Sequence, residues 1–367
     1  MTDPADIRFI KLALTLGTRG AGLTWPNPAV GCVIVQSGRV VGRGWTQLGG
    51  RPHAEVVALA QAGDLARGAT AYVTLEPCSH HGKTPPCAEA LIKAGLSRVV
   101  VATGDPDPRV SGRGLRMLQD AGIAVTMDVC RAHADQAHAA FFRRVTEGRP
   151  EVILKLASSF DGRIATATGD SQWITGPKAR RAVHAARARH DAVMVGGGTA
   201  RADDPSLTVR GLGVSHQPVR IVVSRRLDIP LSGTLAQTAA DVPLWLCHGA
   251  DADADLCAAW SGLGARLVPV ALAGRQLSMP DLLAQLGQLG LTSVYCEGGG
   301  ALAASLLNAD RVDQLIGYTA GVMIGAEGQP ALGAMGIDVL SEAPRFTLKA
   351  SRHIGPDVEH IWRRQTD

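Results

Sequence analysis

The sequence predicts two α/β domains in succession, and three observations predict them. Strand-like and helix-like segments alternate from the N-terminus to residue 145, and a second alternation starts at residue 152. Between them lies a polar break, Thr146-Glu147-Gly148-Arg149-Pro150, with a helix-ending glycine and a proline ahead of the next apolar run. The length, 367 residues, suits two domains of ordinary size. The expected domains are therefore 1–146 and 151–367.

In the first series, residues 5–19 carry helical periodicity through Ile7, Ile10 and Leu14. Val30–Val35 and Arg39–Trp45 read as a hairpin around the turn dipeptide Ser37-Gly38. His53–Ala62 reads as a helix, Ala69–Leu75 as a strand, and Cys87–Ala94 as a helix. A strand at Arg98–Ala102, a helix at Gly112–Ala121, a strand at Ile123–Met127 and a helix at Arg131–Arg144 follow. Such alternation makes a three-layer α/β domain.

The second series opens with a strand at Val152–Ala157. Further strands are expected near Ala192–Val195, Arg220–Ser224, Leu244–Cys247, Ser293–Cys296 and Leu315–Thr319. Helices are expected at Pro177–Arg189, Pro280–Leu289 and Ala301–Asn308, and Arg345–Arg363 reads as two strands.

Composition narrows the function. Hydrophobic residues make up 46%, enough for sizeable cores, while aromatics are only 4%. The net charge of +4 is spread along the chain, too weak and diffuse to imply DNA binding. The 43 glycines show no fixed period, which excludes collagen and simple repeats. The N-terminus carries acids at Asp3 and Asp6, and lacks the basic region and the small-residue cleavage site of a secretory signal, and no apolar stretch is long enough to span a membrane. Seven cysteines, an odd number in a long chain, point to a reducing compartment rather than a disulfide scaffold, so a cytoplasmic protein is expected.

Two short segments carry the chemistry of the first domain. Pro52-His53-Ala54-Glu55 opens a helix; Glu76-Pro77-Cys78 ends a strand, and Cys87 begins another helix. One His and two Cys supply three ligands to a tetrahedral Zn²⁺ and leave one position for water, the mark of a catalytic site. Two thiolates balance the dication, and a helix N-terminus at Cys87 favours its thiolate. Hydrolytic deamination needs a hydroxide at an amidine-like carbon and a proton for the departing amine. Zinc lowers the pKa of a bound water toward neutrality. Glu55, two residues after His53, is the candidate proton carrier. The general zinc-deaminase signature H-x-E…P-C-x-x-C puts two residues between its cysteines. Here eight intervene, Ser79-His80-His81-Gly82-Lys83-Thr84-Pro85-Pro86. The competing reading is a structural zinc with a fourth protein ligand, which His80 or His81 would supply. Upstream, Pro26-Asn27-Pro28 forces an extended turn before a strand, and Asn27 is either a contact to a heterocycle or ribose or an ordinary turn residue.

Together these residues resemble one family. Pro26-Asn27-Pro28-x-Val30-Gly31, then His53-Ala54-Glu55-Val56, then Thr74-Leu75-Glu76-Pro77-Cys78-Ser79-His80 through Gly82-x-Thr84-Pro85-Pro86-Cys87 are similar to the bifunctional riboflavin-biosynthesis deaminase/reductases. The eight-residue spacer is the family's own, and the resemblance extends over nearly the whole chain. It implies a cytidine-deaminase-like domain followed by a dihydrofolate-reductase-like domain. The first would deaminate 2,5-diamino-6-ribosylamino-4(3H)-pyrimidinone 5′-phosphate, and the second would reduce the ribosyl group to ribityl with NADPH. It implies a small pyrimidine ribotide as partner, neither nucleic acid nor membrane, and a homo-oligomer. Asn27 would touch substrate, and charge and position make His81, Lys83 and Thr84 candidates for its phosphate. One departure is Thr46, in Gly42-Arg43-Gly44-Trp45-Thr46, where the family usually has His.

The second half carries the reductase pattern in clusters: Lys155 to Ala165, Ser171-Gln172-Trp173-Ile174-Thr175, Arg187 to Ala192, Gly196-Gly197-Gly198-Thr199, Asp203 to Arg210, and Cys296 to Leu302. The resemblance places Ala157, Trp173, Thr199, Asp203, Ser224, Gly298, Gly299, Gly300 and Ala301 at the cofactor. It places Ser171, Arg187, Leu207, Arg210 and Glu297 at the substrate. Read physically, Glu297-Gly298-Gly299-Gly300 is a loop between strand and helix where backbone can approach a pyrophosphate, although it is not G-x-G-x-x-G and is equally a tight turn. A 2′-phosphate wants basic partners, and Ser224-Arg225-Arg226 is the candidate clamp, its alternative being a solvated basic turn. Lys155 is either a proton donor or a strand-edge lysine. Gly321 stands where the family often has Pro, so a local change of loop is expected. Two other classes compete: a nucleobase or nucleic-acid deaminase with an accessory domain, which predicts a basic face with stacking aromatics, and a zinc-stabilised binding module, which predicts a fourth protein ligand.

Overall fold

The computed structural model describes residues 3–82, 85–108 and 110–365. The chain divides into two compact units, Met1–Gly148 and Arg149–Asp367.

The first unit runs α1 (Pro4–Gly17), β1 (Gly31–Gln36), β2 (Arg39–Trp45), α2 (Ala54–Ala62), β3 (Thr70–Val73), α3 (Cys87–Lys93), β4 (Arg98–Val101), α4 (Arg113–Asp120), β5 (Ala124–Thr126), α5 (Arg131–Ala137) and α6 (Ala139–Glu147). The sheet order is β2-β1-β3-β4-β5. β1 is antiparallel to β2 and β3, and β3, β4 and β5 are parallel. Strand periodicity builds three layers. Cys32, Ile34, Val73 and Val99 face Ala54, Ala58, Leu91 and Leu118 of α2, α3 and α4. Val33, Val35, Tyr72 and Val100 face the other way, under Phe9, Ile10 and Ala13 of α1 and Ala134 of α5. The stretch expected as one helix over Arg131–Arg144 is two. His138 leaves helical geometry at φ −100°, ψ 6°, and its buried ring meets the Thr74 hydroxyl at 3.1 Å.

The second unit runs β6 (Glu151–Ser159), β7 (Arg163–Ala165), α7 (Pro177–Arg187), β8 (Ala192–Gly196), α8 (Gly197–Asp203), β9 (Val219–Val223), α9 (Thr234–Gln237), β10 (Leu244–His248), α10 (Ala254–Gly262) and β11 (Arg266–Pro269). It continues with β12 (Leu272–Ala273), β13 (Gln276–Leu277), α11 (Met279–Gln288), β14 (Ser293–Gly298), α12 (Gly300–Asn308), β15 (Gln314–Ala320), β16 (Gln329–Pro330), β17 (Phe346–Ile354) and β18 (Asp357–Arg364). Among the described residues the main sheet has nine strands, ordered β11-β10-β9-β8-β14-β6-β15-β18-β17. β11 through β15 are parallel in that order, and β18 and β17 close the edge antiparallel. A mostly parallel sheet gathers its functional loops at the strands' C-terminal ends. Here those ends carry Ser159, Gly196, Ser224, Gly298 and Ala320.

The loops after β6 and β15 are tied to each other. The Asp161 carboxylate accepts from the Ser159 hydroxyl and from the backbone N–H of Gly325 at 2.7 Å and of Ile324 at 3.2 Å. Those donors, the Ser159 hydroxyl first, hold its carboxyl down to about 2, against an ordinary 3.8. A depressed acid stabilises above its unfolded pKa and loses that contribution as pH falls through the folded value. Hydrogen exchange at Gly325 and Ile324 is therefore expected to quicken as pH falls from about 4 to about 2 beyond the intrinsic rate change, and to be fast already at neutral pH in Asp161→Ala.

Candidate active sites

In the first unit, glycines set the position of the catalytic helix. A Cβ at Gly44 would lie 2.1 Å from the Ala54 carbonyl oxygen, and one at Gly42 would lie 2.2 Å from that of Ala58. Only glycine on β2 lets α2 lie this close. His53 caps α2 in extended conformation, φ −69°, ψ 159°, and Glu55 sits buried in the first turn. From the other side, the segment after β3 brings Cys78 against the start of α3. The Cys87 N–H donates to Cys78 Sγ at 3.3 Å, and the Ala88 N–H to the Cys78 carbonyl at 3.2 Å. Glu76 is occupied there: its carboxylate accepts from the backbone of Gly112 and Gly114 at 3.1 and 3.2 Å.

These elements bring three ligand atoms together. His53 Nδ1 lies 3.3 Å from Cys87 Sγ and 3.6 Å from Cys78 Sγ, and all three donors fall within 4.8 Å of one another. Hydrogen bonding from the Cys87 thiol, helped by His53, pulls the Cys78 thiol down to about 4, while the bond to Cys78 and burial push Cys87 up. The pair thus shares a proton that a dication would displace. Two sulfurs and an imidazole within this span fit tetrahedral zinc. Among the described residues no fourth His, Cys, Asp or Glu joins the group. His81 points elsewhere, paired with Glu89 at 2.9 Å with 71% of its side chain exposed. His80 lines the cavity at an exposed position without joining the ligand set. The structural-zinc alternative therefore loses its fourth ligand.

The cavity beside the triad, about 230 Å³, is lined by Asn27, Thr46, Arg51, Glu55 and Asp105, with Phe141 and Arg144 on α6. Asn27 donates its amide N–H to the Gly50 carbonyl at 3.1 Å, which leaves its side-chain oxygen for a ligand. The Thr46 hydroxyl accepts from the Val30 N–H at 3.0 Å, so it supports the wall. Burial pushes the Glu55 carboxyl up, which lets it hold a proton. Arg51, Asp105, Asp107 and Arg144 were not singled out from sequence. Asp105-Pro106-Asp107 follows β4, and acids just past the C-terminal end of a parallel strand were the available signal. Burial pushes Asp105 up to about 6. Lys83 and Thr84, named as phosphate candidates, lie outside the described residues.

In the second unit, α7, β6, α8 and β14 converge on a charged cluster. Arg187 forks onto Glu297: its Nε donates to Oε1 and its Nη2 donates to Oε2 at 2.9 Å, with side chains only 11% and 10% exposed. Arg187 Nη1 also donates to the Thr208 carbonyl at 2.9 Å. Burial alone would lower the Arg187 guanidinium and raise the Glu297 carboxyl, but each charge reverses the other's shift. Lys155 belongs to this cluster. It sits on β6, between β14 and β15, so the strand-edge reading is overturned. Burial lowers its ammonium, against the pull of Glu297 and Asp203.

The glycine loop closes the cluster. Gly298 and Gly299 take φ +84° and +91°, and a Cβ at Gly299 would meet the Thr199 hydroxyl at 2.7 Å. Ala157 pairs with Tyr318 in the sheet register next to it. The other expected contacts differ in their exposure. The Leu207 side chain is buried in the core with Val222 and Ile229, so only its backbone, at φ +53°, is available to a substrate. Trp173 is 67% exposed and stacks with Arg180 at 4.5 Å, and Ser171 lies in the irregular segment before α7. Arg210 is exposed, its Nη1 on the Ser206 hydroxyl at 2.6 Å and its N–H on His184 Nδ1 at 3.2 Å. A Cβ at Gly321 would meet nothing within 4 Å, so that position makes no demand for glycine.

A second cleft, about 410 Å³, opens between α8, the end of β9 and the start of α12. Gly197, Gly198, Ser224, Arg225, Arg226 and Ala301 line it. Arg225 is not a free clamp as expected: Asp251 already binds it bidentately, with Nη2 at 2.7 Å. Glycine backbone and several guanidiniums on one wall are a donor set that fits a phosphorylated dinucleotide.

Comparison with known proteins accords with both sites. The family model for the cytidine and deoxycytidylate deaminase zinc-binding region matches residues 4–103, and that for the RibD C-terminal domain matches 150–359. The chain is 42% identical to riboflavin biosynthesis protein RibD of Escherichia coli, covering 96% of this chain and 98% of that one. It is 38% identical to the Aquifex aeolicus protein of the same name, over 99% and 100%. Among solved structures, Acinetobacter baumannii RibD superposes with a TM-score of 0.88 at 36% identity, covering 98% of this chain and 99% of that one. A Thermotoga maritima diaminohydroxyphosphoribosylaminopyrimidine deaminase/5-amino-6-(5-phosphoribosylamino)uracil reductase does so at 0.86 and 32%, with the same coverage.

Proposed function

This chain belongs to the RibD family of bifunctional riboflavin-biosynthesis enzymes, and from that premise we propose how its own residues divide the two reactions. It is a zinc-dependent deaminase and an NADPH-dependent reductase acting on a small pyrimidine ribotide. The observation that carries the assignment of residues is the triad His53, Cys78 and Cys87 with buried Glu55 beside it.

His53 Nδ1 and the two sulfurs would hold the metal. Zinc, when bound, supplies an acidified water. Glu55 takes the proton from the attacking water and delivers it to the departing amine, so that C–NH₂ and water become C=O and ammonia. Asn27 presents its side-chain oxygen to the ring. In the second unit, NADPH, when bound, supplies hydride to the opened ribosyl carbon. Thr199, Asp203, Gly298, Gly299, Gly300 and Ala301 form the wall against which it would lie. The Arg187–Glu297 pair and Arg210 orient the ribotide, and the Lys155 ammonium, faced by Glu297 and Asp203, is the proton source. A cytoplasmic homo-oligomer is part of this proposal; the seven cysteines are all free, as a reducing compartment requires. Among the described residues no helix is long and apolar enough to cross a membrane.

The test is a coupled assay on the full chain. Given the diaminopyrimidine ribotide, the zinc-loaded protein should release ammonia, and added NADPH should then lose absorbance at 340 nm. Stripping zinc with a chelator should stop ammonia release and leave reduction of the pre-deaminated ribotide intact. No ammonia from zinc-loaded protein, or reduction lost together with zinc, would sink the assignment.

A further inference from the structure

The cleft between α8, β9 and α12 shares one element, α8, with the charged cluster of the second unit but none of its side chains. Four arginines line it: Arg201, Arg225, Arg226 and Arg275. Arg201 pairs with Asp228 at 2.8 Å and Arg225 with Asp251 at 2.7 Å. The Ser224 hydroxyl is also committed, donating to Asp228 Oδ1 at 2.8 Å. Four guanidiniums against two carboxylates leave two positive charges, carried by Arg226 and Arg275. Neither of these side chains makes a hydrogen bond or ion pair among the described residues. A phosphate monoester carries about −1.5 to −2 at neutral pH, which matches that excess.

The position of Arg275 explains what Arg225 does. Arg275 occupies the turn of the short β12–β13 hairpin, after Gly274 at φ +61°. An arginine on a free turn would be solvated and mobile. Here Arg225 Nη1 donates to the Arg275 carbonyl oxygen at 2.6 Å. The rest of the Arg225 fork is filled by Asp251, with Nε at 3.1 and 3.0 Å from the two carboxylate oxygens. Arg225 therefore fixes the backbone of the hairpin tip to the end of β9, and so sets the point from which the Arg275 side chain lines the cleft.

We propose that Arg226 and Arg275 read the 2′-phosphate of the nicotinamide cofactor, and that Arg225, held by Asp251, is the positioning residue that presents Arg275. This rests on the reading that the cleft takes the adenosine end of NADPH. The hairpin is remote in sequence from the glycine loops, and its contribution is that of a specificity determinant: a cofactor without the 2′-phosphate gains nothing from it.

The experiment is titration of the full chain with NADPH and with NADH, without ribotide, following nicotinamide fluorescence. Wild-type protein should bind NADPH more tightly than NADH. Arg275→Ala and Arg226→Ala should each weaken NADPH by about tenfold to a hundredfold, the loss of one charge-assisted contact. NADH affinity should stay unchanged, which also shows that the variants are folded. Arg225→Lys should weaken NADPH in the wild-type background and add little to Arg275→Ala, because both act through one contact. Wild-type NADPH affinity in Arg226→Ala and Arg275→Ala would overturn the proposal, and equal affinity of the wild type for the two cofactors would do the same. Additive losses in Arg225→Lys with Arg275→Ala would make Arg225 a direct contact and overturn its positioning role. A wild type that binds neither cofactor would instead overturn the reductase reading on which the proposal rests.

Discussion

Glu55→Gln is expected to keep its zinc and stop releasing ammonia. The substitution preserves shape and removes only the ability to accept and return a proton. The ligands His53, Cys78 and Cys87 are untouched, so metal content should stay at the wild-type level. A positioned acid–base group contributes about 10²–10⁴-fold to rate, and kcat for deamination should fall by that amount. Stability should not fall with it. Glu55 is 4% exposed, and burial already disfavours its charge, so a neutral side chain of the same shape removes a desolvation cost. Such a trade, activity lost while stability is kept or gained, is expected where a buried acid is retained for chemistry. Zinc content by atomic absorption, thermal unfolding and ammonia release on the same preparation decide it. A variant that deaminates at the wild-type rate refutes the role; one that loses zinc makes Glu55 part of the ligand shell.

The first site was legible because its parts are local. His53 and Glu55 share the opening of α2, and Cys78 and Cys87 flank a single loop. Strand and helix periodicity located these elements to within a few residues. What sequence could not give was contact across the chain. Arg187 and Glu297 lie 110 positions apart, and nothing local marks either as half of a buried pair. By sequence, Arg187 on its helix has a solvent-facing residue as its alternative reading, and Lys155 reads as well for an edge lysine. Only the strand order, with β6 between β14 and β15, decides the second. Arg225, read from sequence as part of a basic clamp, lines the cleft beside β9, but its tie to Asp251 and to the Arg275 carbonyl depends on a turn and a hairpin that sequence patterns do not place. Leu207 shows the converse. It was assigned with its family's substrate contacts, yet its side chain is core. The break at His138 escaped periodicity too, because Arg131–Arg144 keeps helical spacing across it. A buried ring reaching Thr74 ends one helix and starts the next.

Glu297→Gln is expected to cost the second unit both its stability and its reaction, and a double substitution separates the two. In the wild type Arg187 and Glu297 neutralise each other out of water. Removing the carboxylate leaves Arg187 buried with the Thr208 carbonyl, and deprives Lys155 of one of its two counter-charges. Breaking a buried pair from one side costs about 3–5 kcal/mol. In a unit of this size that is a fall in Tm of about 6–20 °C. The acid dependence should change as well. Arg187 holds the Glu297 carboxyl below its ordinary 4.5, so the wild-type contribution is complete above that value and is lost as pH falls through the lower, folded one. Glu297→Gln should lack this loss, and the gap between the two proteins should close in acid. Replacing both partners by apolar residues, Arg187→Met with Glu297→Leu, removes the stranded charge. Well-packed apolar substitutes for a buried pair are often neutral or stabilising, so the double variant should recover most of the lost Tm. Reduction of the ribotide should not recover if, as proposed, the fork orients it. Ammonia release by the same protein serves as the internal control. A double variant that regains reduction along with stability would show that the pair is a structural brace and that the ribotide is held elsewhere.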